Sequence, residues 1–442
     1  MRVANFTDTY LPRRDGVITS IRTLVEALGE RGHRSLTVVP RHPDQPDDPG
    51  LLRLKAVPCG VAELRLSPWL LRGASGGPLA DIAAFAPDVV HVHTPGPVGL
   101  LGVLAARRLG LPLVQTYHTD LHAYAQAYRF PVPALRVGLR LYARRLGVPR
   151  PPLRTDPTAP AGATRRSAVT RRAALDSANV LLLGGADAVV VPTRSVLDRI
   201  TLPVPADAIH LVPTGVGLRS STPGAVAEFR RSHGLDPADR VVLFVGRVNR
   251  EKGVDLLLAA FERLLVGCPR ARLVLVGAVY EARWFTGLLR AMPPAAASRV
   301  VLTGQQPPEV VAAAYALADV FAFPSRTDTQ ALVLQEAALA GVPVVAADPV
   351  LLRSGPLAGA GVCPPDGPAA FATALHDLLD DPARAAAVSV AARANAARHT
   401  PARYAGAVLD VYHHARDRHA RRANPANPAN PADVVTVAAP TA

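Results

Sequence analysis

The sequence predicts an α/β protein with parallel sheets in two domains. Short apolar runs typical of buried strands alternate with amphipathic segments at helical spacing over most of the chain. One domain usually holds ~100–200 residues, so a chain of this length is expected to form two or three. Of the 442 residues 49% are hydrophobic, which is enough for more than one core. Polar loops follow several predicted strands, where parallel sheets hold their ligands.

The first half of the chain begins with a strand-helix-strand unit. Residues 1–6 form an apolar strand, residues 18–28 place apolar side chains on one helical face, and residues 36–39 form the next strand. The unit lacks G-x-G-x-x-G, so a nicotinamide cofactor is not expected. Further strands are predicted at residues 51–57, 87–91, 113–116 and 188–191.

Two residues of the first half are candidates for ligand contact. Gly16 stands between a polar loop and a helix, where a glycine either lets a ligand approach the backbone or simply makes a turn. His118, in Y-H-T-D at residues 117–120, follows the strand at residues 113–116. The carboxyl end of a strand is where such a sheet contacts ligands, and a purely structural histidine is the alternative.

The net charge of +14 does not indicate nucleic-acid binding. Residues 144–172 carry eight arginines against Asp156 alone, with no interleaved aromatic residues, so half of the excess lies in one segment. We expect residues 149–172 to be a mobile insertion. Residues 133–147 predict a helix with arginines spaced by four, which either packs on the domain or lies on an anionic membrane surface.

The second half repeats the alternation of strands and helices. Strand 241–245 leads into G-R-V-N-R-E-K-G at residues 246–253, and a helix follows. Arg247 and Lys252 flank this turn, and Lys55 is the only other lysine of the chain. Two cations beside a helix N-terminus suit a diphosphate, although both are also ordinary surface residue types. Other strands are predicted at residues 209–213, 273–276 and 300–302.

A strand-loop-helix-strand unit at residues 320–347 contains further candidates. Asp328, Thr329 and Gln330 lie in the loop after the first strand, and Glu336 lies about two turns into the helix. The helix N-terminus suits a phosphate because its N–H groups and dipole favour negative charge. In the alternative interpretation Asp328 or Thr329 caps the helix and Glu336 is solvated.

Proline-rich and repetitive segments indicate where the predicted domains begin and end. The prolines of L-P-V-P at residues 202–205 indicate a linker, so the domains are placed at residues 1–203 and 204–400. A helix at residues 401–420 is expected to pack back on the N-terminal domain. The repeated N-P-A of the tail at residues 421–442 predicts disorder.

Cysteine usage and hydropathy predict a cytoplasmic protein. The three cysteines lack C-x-x-C spacing, which indicates neither a disulfide framework nor a zinc site. The longest apolar run, residues 180–191, is short and contains Asp187, so no bilayer-spanning segment is expected. No metal cluster and no cofactor are predicted.

Taken together, four of these motifs resemble those of the retaining glycosyltransferases of family 4, which have the GT-B fold. The motifs are F-T-D-T-Y-L-P with D-G-V, T-Y-H-T-D at residues 116–120, G-R-x4-K-G at residues 246–253, and S-R-T-D-T-Q-A-L-V-L-Q-E-A at residues 325–337. They occur in the order of the family, each at the end of a predicted strand. The similarity covers about residues 1–145 and 175–420.

The resemblance implies two Rossmann-like domains facing across a cleft that holds a nucleoside-diphosphate sugar. It assigns Arg247 and Lys252 to the diphosphate, Asp328 to the donor sugar and Glu336 to the ribose hydroxyls. It also places His118 near the reacting centre. The resemblance further assigns backbone contacts with the donor to Thr329, Gln330, Ala331 and Leu332, and contact with diphosphate and acceptor to Gly16.

Two residues depart from the family pattern. Asp328 stands where the family usually has Glu, and Ala331 where it usually has Gly. The resemblance implies a hexosyltransferase, with mannose carried on GDP as the first candidate donor. The basic helix at residues 133–147 suggests a lipid or cell-envelope glycan acceptor at the inner face of the membrane, with peripheral membrane contact. A degenerate, non-catalytic GT-B protein that binds a nucleotide or glycolipid is the alternative.

Overall fold

The computed structural model describes residues 1–58, 65–69, 77–118, 132–148, 165–217 and 220–423. The chain divides into two compact units. The N-terminal domain contains Met1–Pro192, Val196–Val212 and the C-terminal helix from Ala402. The C-terminal domain contains Thr193–Ser195 and Pro213–Pro401.

Short strands alternate with helices through the first half of the chain. The elements in order are β1 (Arg2–Phe6), α1 (Gly16–Gly29), β2 (Arg34–Pro40), β3 (Leu51–Leu54), β4 (Val57–Pro58), β5 (Arg65–Leu66), α2 (Pro78–Phe85), β6 (Val89–Val92), α3 (Pro97–Leu109), β7 (Leu113–Thr116), α4 (Val132–Leu146), α5 (Arg165–Leu183), β8 (Ala188–Val191), α6 (Arg194–Arg199) and β9 (Ile209–Leu211).

The second half has the same alternation. Its elements are α7 (Pro223–Ser232), β10 (Arg240–Val245), α8 (Val254–Gly267), β11 (Ala271–Val276), α9 (Ala282–Ala291), α10 (Pro294–Ala297), β12 (Val300–Gly304), α11 (Pro308–Leu317), β13 (Val320–Phe323), α12 (Leu332–Leu339), β14 (Val344–Ala346), α13 (Pro349–Ser354), α14 (Pro368–Asp380), α15 (Pro382–Ala396) and α16 (Pro401–Ala423).

Each domain has a parallel sheet whose strand order reverses at one point. The N-terminal sheet has the order β3-β2-β1-β6-β7-β8-β9, and the C-terminal sheet has the order β12-β11-β10-β13-β14. The order therefore reverses between β1 and β6 in one sheet and between β10 and β13 in the other. Loops that leave the carboxyl ends of strands on either side of such a point diverge and leave room for a ligand.

Both faces of each sheet are covered, which explains why the strands are apolar without alternation. In the N-terminal domain Ala4 and Phe6 face a core that includes residues of α2 and α3. Val3 faces the opposite core, which includes Leu24 of α1 and Tyr412 of α16. The C-terminal helix is thus part of the N-terminal domain.

The domain limit predicted at residues 203 and 204 is wrong. Ile209 pairs with Val189 of β8, so β9 is the last strand of the N-terminal sheet, and the domain ends at Val212. Leu202, in the expected linker, is buried in the core of that domain. Prolines cannot donate a backbone hydrogen bond to a sheet, so the sequence around Leu202 is typical of a linker, but the buried leucine anchors this segment in the domain.

Two other expected boundaries also differ. Helix α5 begins at Arg165, so residues 165–172 of the expected mobile insertion are helical, which suits arginine and alanine, both good helix formers. Residues 149–164 of that insertion lie outside the described residues. Helix α16 continues to Ala423, and the rest of the expected disordered tail is likewise outside the described part.

Candidate functional site

The turn after β10 positions the two candidate cations of the C-terminal domain. Arg250–Lys252 form a 3-10 turn in which the side chain of Asn249 accepts a hydrogen bond from the Lys252 backbone N–H at 3.2 Å. Gly253 follows with φ +68°, and a Cβ there would lie 2.6 Å from the carbonyl oxygen of Pro324. Only glycine permits this approach, which holds the loops after β10 and β13 together at the reversal of strand order.

Lys252 and Asp328 meet across these two loops. The ammonium of Lys252 donates to Oδ1 of Asp328 at 2.6 Å, and the hydroxyl of Ser325 donates to Oδ2. The two charged side chains are only 13% and 17% exposed. Two residues 76 positions apart, each assigned from the sequence to a donor site, therefore lie in direct contact.

Arg247 belongs to the same charge cluster. Its guanidinium donates to Oε2 of Glu251 at 2.9 Å, and Lys252 Nζ lies 3.8 Å from Oε1 of the same carboxylate. Two cations and two carboxylates thus lie within a single network that excludes most water. We name Arg247, Glu251, Lys252 and Asp328 the charge cluster.

The charge cluster keeps Asp328 ionised. Burial acts to raise the pKa of Asp328, but Lys252, the Ser325 hydroxyl and Arg247 together outweigh it. The net effect is a pKa below the usual value of an aspartate. Asp328 is therefore a carboxylate at neutral pH, as an acceptor of sugar hydroxyl groups must be.

The loop after Asp328 leads into α12 through an unusual residue. Ala331 has φ +57° and immediately precedes the helix, where its methyl group cannot accept a hydrogen bond from the first turn. The backbone of Ala331 is thus in the left-handed conformation, which glycine adopts without strain and alanine does not. This arrangement presents the helix N-terminus without a side-chain cap.

The side chain of Gln330 has a structural partner. Its amide oxygen accepts from the Thr214 backbone N–H at 2.9 Å, and its amide nitrogen donates to the Thr214 carbonyl at 2.9 Å. The carbonyl of Thr329 accepts from the hydroxyl of Thr193. These contacts fix the loop, and the donor contact predicted for Gln330 is made by its backbone.

Glu336 lies in the second turn of α12 beside a tyrosine that the sequence analysis missed. The hydroxyl of Tyr315, on α11, donates to Oε2 of Glu336 at 2.9 Å. Burial, followed by the charge of Glu336, holds the pKa of Tyr315 well above its usual value, so this hydroxyl remains a donor. No sequence signal pairs these residues, because they lie on different helices.

Gly16 and His118 both lie in the N-terminal domain. Gly16 is the first residue of α1, directly after Asp15, whose carboxylate accepts from the Ile18 backbone N–H at 3.0 Å. Asp15 also accepts from the side chain of Arg13 at 3.1 Å. The D-G-V motif therefore builds a capped helix start at the end of the loop after β1.

His118 follows β7 and contacts a second histidine. Its Nε2 lies 3.2 Å from Nδ1 of His93, which follows β6. Burial lowers the pKa of His118 to about 4, although the charge of Asp15 acts in the opposite direction. A cavity of about 30 Å³ adjoins both imidazoles, and its lining includes Asn179 of α5.

Asp8, which the sequence placed in a resemblance motif without a role, caps a helix. Its carboxylate accepts from the backbone N–H groups of Val98 and Gly99 at 2.7 and 3.2 Å and from the hydroxyl of Thr94 at 2.7 Å. A Cβ on Gly96 would collide with this carboxylate at 2.5 Å. Asp8 therefore occupies the N-terminus of α3, and its carboxylate leaves no room for a side chain at Gly96.

Helix α4 has arginines on an exposed side and apolar residues on a buried one. Arg140 and Arg144 are exposed, whereas Leu139 and Ala143 pack against α5. This burial favours the interpretation of α4 as a surface helix packed on its own domain. Val137, by contrast, is 53% exposed.

Comparison with known proteins decides the family. The model described as "Glycosyltransferase Family 4" matches residues 14–219, and "Glycosyl transferases group 1" matches residues 239–381. A GDP-mannose-dependent alpha-mannosyltransferase of Mycobacterium tuberculosis is 30% identical over 362 residues, which are 79% of each chain. The chain belongs to glycosyltransferase family 4. The predicted family and its enzymatic class, glycosyltransferase, are thereby confirmed.

This family 4 glycosyltransferase is also similar to a curated protein with a different name and to solved structures that share its fold. An alpha-monoglucosyldiacylglycerol synthase of Streptococcus pneumoniae is 26% identical over 354 residues, 78% of this chain and 71% of that protein. Sucrose-phosphate synthase from Thermosynechococcus elongatus has a similar fold, with a TM-score of 0.66 and 21% identity over 93% of this chain and 98% of its own. WaaG, a glycosyltransferase involved in lipopolysaccharide biosynthesis, gives a TM-score of 0.62 and 16% identity over 93% and 99%. The predicted α/β fold of the GT-B type is confirmed.

No helix in the part of the chain that the structure describes is long and apolar enough to cross a bilayer.

Proposed function

We propose that the protein transfers a hexose, with retention at the anomeric carbon, from a nucleoside-diphosphate sugar to a lipid or cell-envelope glycan. The observation that carries this proposal is the contact of Lys252 with Asp328 at the strand-order reversal of the C-terminal sheet. It joins a cation suited to a diphosphate with a carboxylate suited to sugar hydroxyls. A nucleotide sugar contains both of these groups, because its diphosphate is attached to the anomeric carbon of the sugar.

The proposed chemistry is governed by charge. Cleavage of the bond between sugar and diphosphate leaves a cation-like sugar and places growing negative charge on the departing group. Arg247, Lys252 and the N-terminus of α12 would stabilise that negative charge, which is the role of preorganised donors in group transfer. Asp328 would orient hydroxyl groups of the donor sugar for attack from the face of the leaving group. His118 of the N-terminal domain is proposed to form a hydrogen bond with a sugar hydroxyl group.

Glu336 is proposed to hold the ribose of the donor. Its Oε2 accepts from Tyr315, so the carboxylate has a fixed orientation before any ligand arrives. A carboxylate fixed in this way can accept from two vicinal hydroxyl groups, and a sugar that lacks one of them leaves an acceptor without its partner.

Names of relatives support the substrate classes. The similar proteins include GDP-mannose-dependent alpha-mannosyltransferases from Mycobacterium tuberculosis and Mycolicibacterium smegmatis and an alpha-monoglucosyldiacylglycerol synthase. We therefore propose GDP-mannose as the first donor and a lipid-linked acceptor. The apolar side of α4 packs on its own domain, so its exposed Arg140 and Arg144 support peripheral contact with the cytoplasmic face of an anionic membrane by charge and not by insertion.

The test is incubation of the purified protein with a panel of nucleotide sugars, with and without a lipid extract. We expect one donor to be consumed only when the extract is present, and the anomeric configuration of the product to match the donor. Consumption of donor without extract would indicate hydrolysis. An inverted product would contradict the proposed chemistry.

A non-catalytic, nucleotide-binding protein is the second candidate. The observation that favours it is the ion pair of Lys252 with Asp328. The positive charge that would stabilise the leaving group is already neutralised by a carboxylate. This candidate predicts that a nucleoside diphosphate raises the melting temperature while no donor is consumed under any condition of the panel.

A further inference from the structure

The charge cluster contains a second carboxylate, that of Glu251, which the proposed chemistry does not use. Glu251 lies in the 3-10 turn Arg250–Lys252 after β10, and its side chain is only 12% exposed. Its Oε2 accepts from the guanidinium of Arg247 at 2.9 Å, and its Oε1 lies 3.8 Å from the ammonium nitrogen of Lys252. One carboxylate therefore bridges the two cations that are proposed to bind the diphosphate.

A carboxylate in this position stabilises the two cations whenever no nucleotide is bound. The side chains of Arg247 and Lys252 are 19% and 13% exposed, so water screens their mutual repulsion only in part. Asp328 offsets one positive charge through its contact with Lys252, and Glu251 offsets the other. The cluster is thereby neutral, which lowers the cost of holding two cations in a nearly buried site.

A carboxylate and a phosphate offer the same kind of contact to these cations. Each presents negatively charged acceptor oxygens, and the fork of an arginine matches both groups. A phosphate that binds between Arg247 and Lys252 therefore competes with Glu251 for the same two positive charges. The side chain of Glu251 is unbranched, so its carboxylate can turn away by rotation about side-chain bonds while the backbone stays in place.

We infer that Glu251 is a placeholder for a phosphate of the nucleotide: its carboxylate contacts Arg247 and Lys252 until the nucleotide displaces it, and it thereby limits the affinity for the nucleoside diphosphate that must leave after each turnover. The inference rests on the proposed function. Loss of the sugar leaves a terminal phosphate that carries about one more negative charge at pH 7. The competing carboxylate therefore acts more strongly against the product than against the donor.

The alternative role of Glu251 is to hold the side chain of Arg247 in place. The two roles predict changes of opposite sign when the negative charge is removed. Glu251→Gln keeps the size of the side chain and raises the net charge of the cluster from zero to +1. A placeholder that is neutralised makes nucleotide binding tighter, whereas a lost support for Arg247 makes it weaker.

The main experiment is titration calorimetry of the full-length wild-type and Glu251→Gln proteins with GDP, UDP and inorganic pyrophosphate. We expect the dissociation constant of the diphosphates that bind to fall about tenfold in Glu251→Gln, the scale of one charged hydrogen bond. In initial-rate measurements the inhibition constant of the product should fall about tenfold, and KM for the donor should fall less.

Glu281→Gln is the matched control for the loss of one negative charge from this domain. The carboxylate of Glu281 accepts from Nε of Arg250 at 3.3 Å and from the Arg250 backbone N–H at 2.8 Å. The substitution therefore breaks an arginine–glutamate pair at the residue next to Glu251, while the contacts of Arg247 and Lys252 stay as they are. Its dissociation constants should stay close to those of the wild type.

Weaker binding of every diphosphate by Glu251→Gln, unchanged binding, or an equal gain in Glu281→Gln would overturn the inference. If Glu251→Gln does not fold, a crystal structure of the wild type with bound pyrophosphate decides. The inference requires the carboxylate of Glu251 to lie beyond ion-pair distance, about 4 Å, from Arg247 or Lys252 in that complex. Contacts retained with both cations would contradict it.

Failure of the proposed function gives a different result from failure of the inference. If the wild-type protein consumed no donor and bound neither GDP nor UDP, the proposed function would fail. Pyrophosphate contains the same diphosphate without a base, so its affinity for the wild-type and Glu251→Gln proteins would still test the placeholder. A tenfold gain would support it, and the absence of binding to both proteins would overturn it.

Discussion

Removal of the Lys252 ammonium should abolish most of the turnover through its effect on the departing diphosphate. The charge cluster of Arg247, Glu251, Lys252 and Asp328 carries no net charge, and Lys252→Ala makes it −1. The Coulomb energy between two unit charges 4 Å apart is about 4 kcal/mol at an effective dielectric constant of 20, which suits a site near the protein surface. Reorganisation of Asp328 and entry of water will reduce that energy. Loss of one hydrogen-bond donor to the developing negative charge typically lowers kcat by a factor of ~10²–10³.

The expected result is a fall in kcat of about 10²-fold, with a weaker affinity for the free nucleoside diphosphate. Initial rates with the donor found in the panel and titration calorimetry with the nucleotide measure the two effects. Lys55→Ala is the matched control, because Lys55 is the other lysine of the chain and is exposed on the N-terminal domain. It should leave both quantities unchanged.

A double substitution separates a direct effect of Lys252 from an indirect one through Asp328. Asp328→Asn alone makes the cluster +1, so it should tighten nucleotide binding while it lowers turnover. If Lys252 acts on the diphosphate, Lys252→Ala should weaken nucleotide binding by a similar factor in the wild-type and Asp328→Asn backgrounds. No further loss in the Asp328→Asn background would refute the reasoning, because Lys252 would then serve only to hold Asp328.

Three further outcomes are expected. Tyr315→Phe should raise KM for the donor several-fold at nearly constant kcat, measured by initial rates, because it removes one of the contacts that orient the carboxylate of Glu336. A donor with a 2′-deoxyribose should show a smaller difference between the two proteins. Ala331→Gly should raise the urea midpoint of the C-terminal domain, since it removes about 1 kcal/mol of left-handed strain, and a lowered midpoint would contradict that account. Burial, together with the charge of His118, lowers the pKa of His91 from 6.5 to about 3, so the folded protein binds fewer protons than the unfolded protein between these two pH values. In thermal melts the stability of the wild type should therefore fall as the pH drops below 6.5, and that of His91→Phe should fall less.

Local sequence patterns predicted the strands best where an apolar run is short and bounded by turn residues. The predicted strands at residues 113–116, 188–191 and 320–323 coincide with β7, β8 and β13. Burial on both faces makes such runs uniformly apolar, so their limits are visible in the sequence. Strand β9 was found but assigned to the wrong domain, because its pairing with β8 is a tertiary contact that no local pattern encodes.

The absence of tertiary contacts from local sequence patterns also explains which site residues could be predicted. Lys252 and Asp328 could be singled out because each follows a strand in a recognisable motif, and the parallel sheet then brings the loops together. Tyr315 could not, since an ordinary tyrosine on the preceding helix becomes relevant only through the packing of α11 beside α12.

The two departures from the family pattern bear on the choice between an enzyme and a binding protein. An aspartate is one methylene shorter than the usual glutamate, yet Asp328 still reaches Lys252 at 2.6 Å and accepts from Ser325. Ala331 carries a methyl group, yet its backbone keeps the left-handed conformation, with φ +57°. We therefore propose that the chain keeps the chemistry of the family and that the shorter carboxylate, which leaves about one methylene more room beside the sugar, alters the choice of donor.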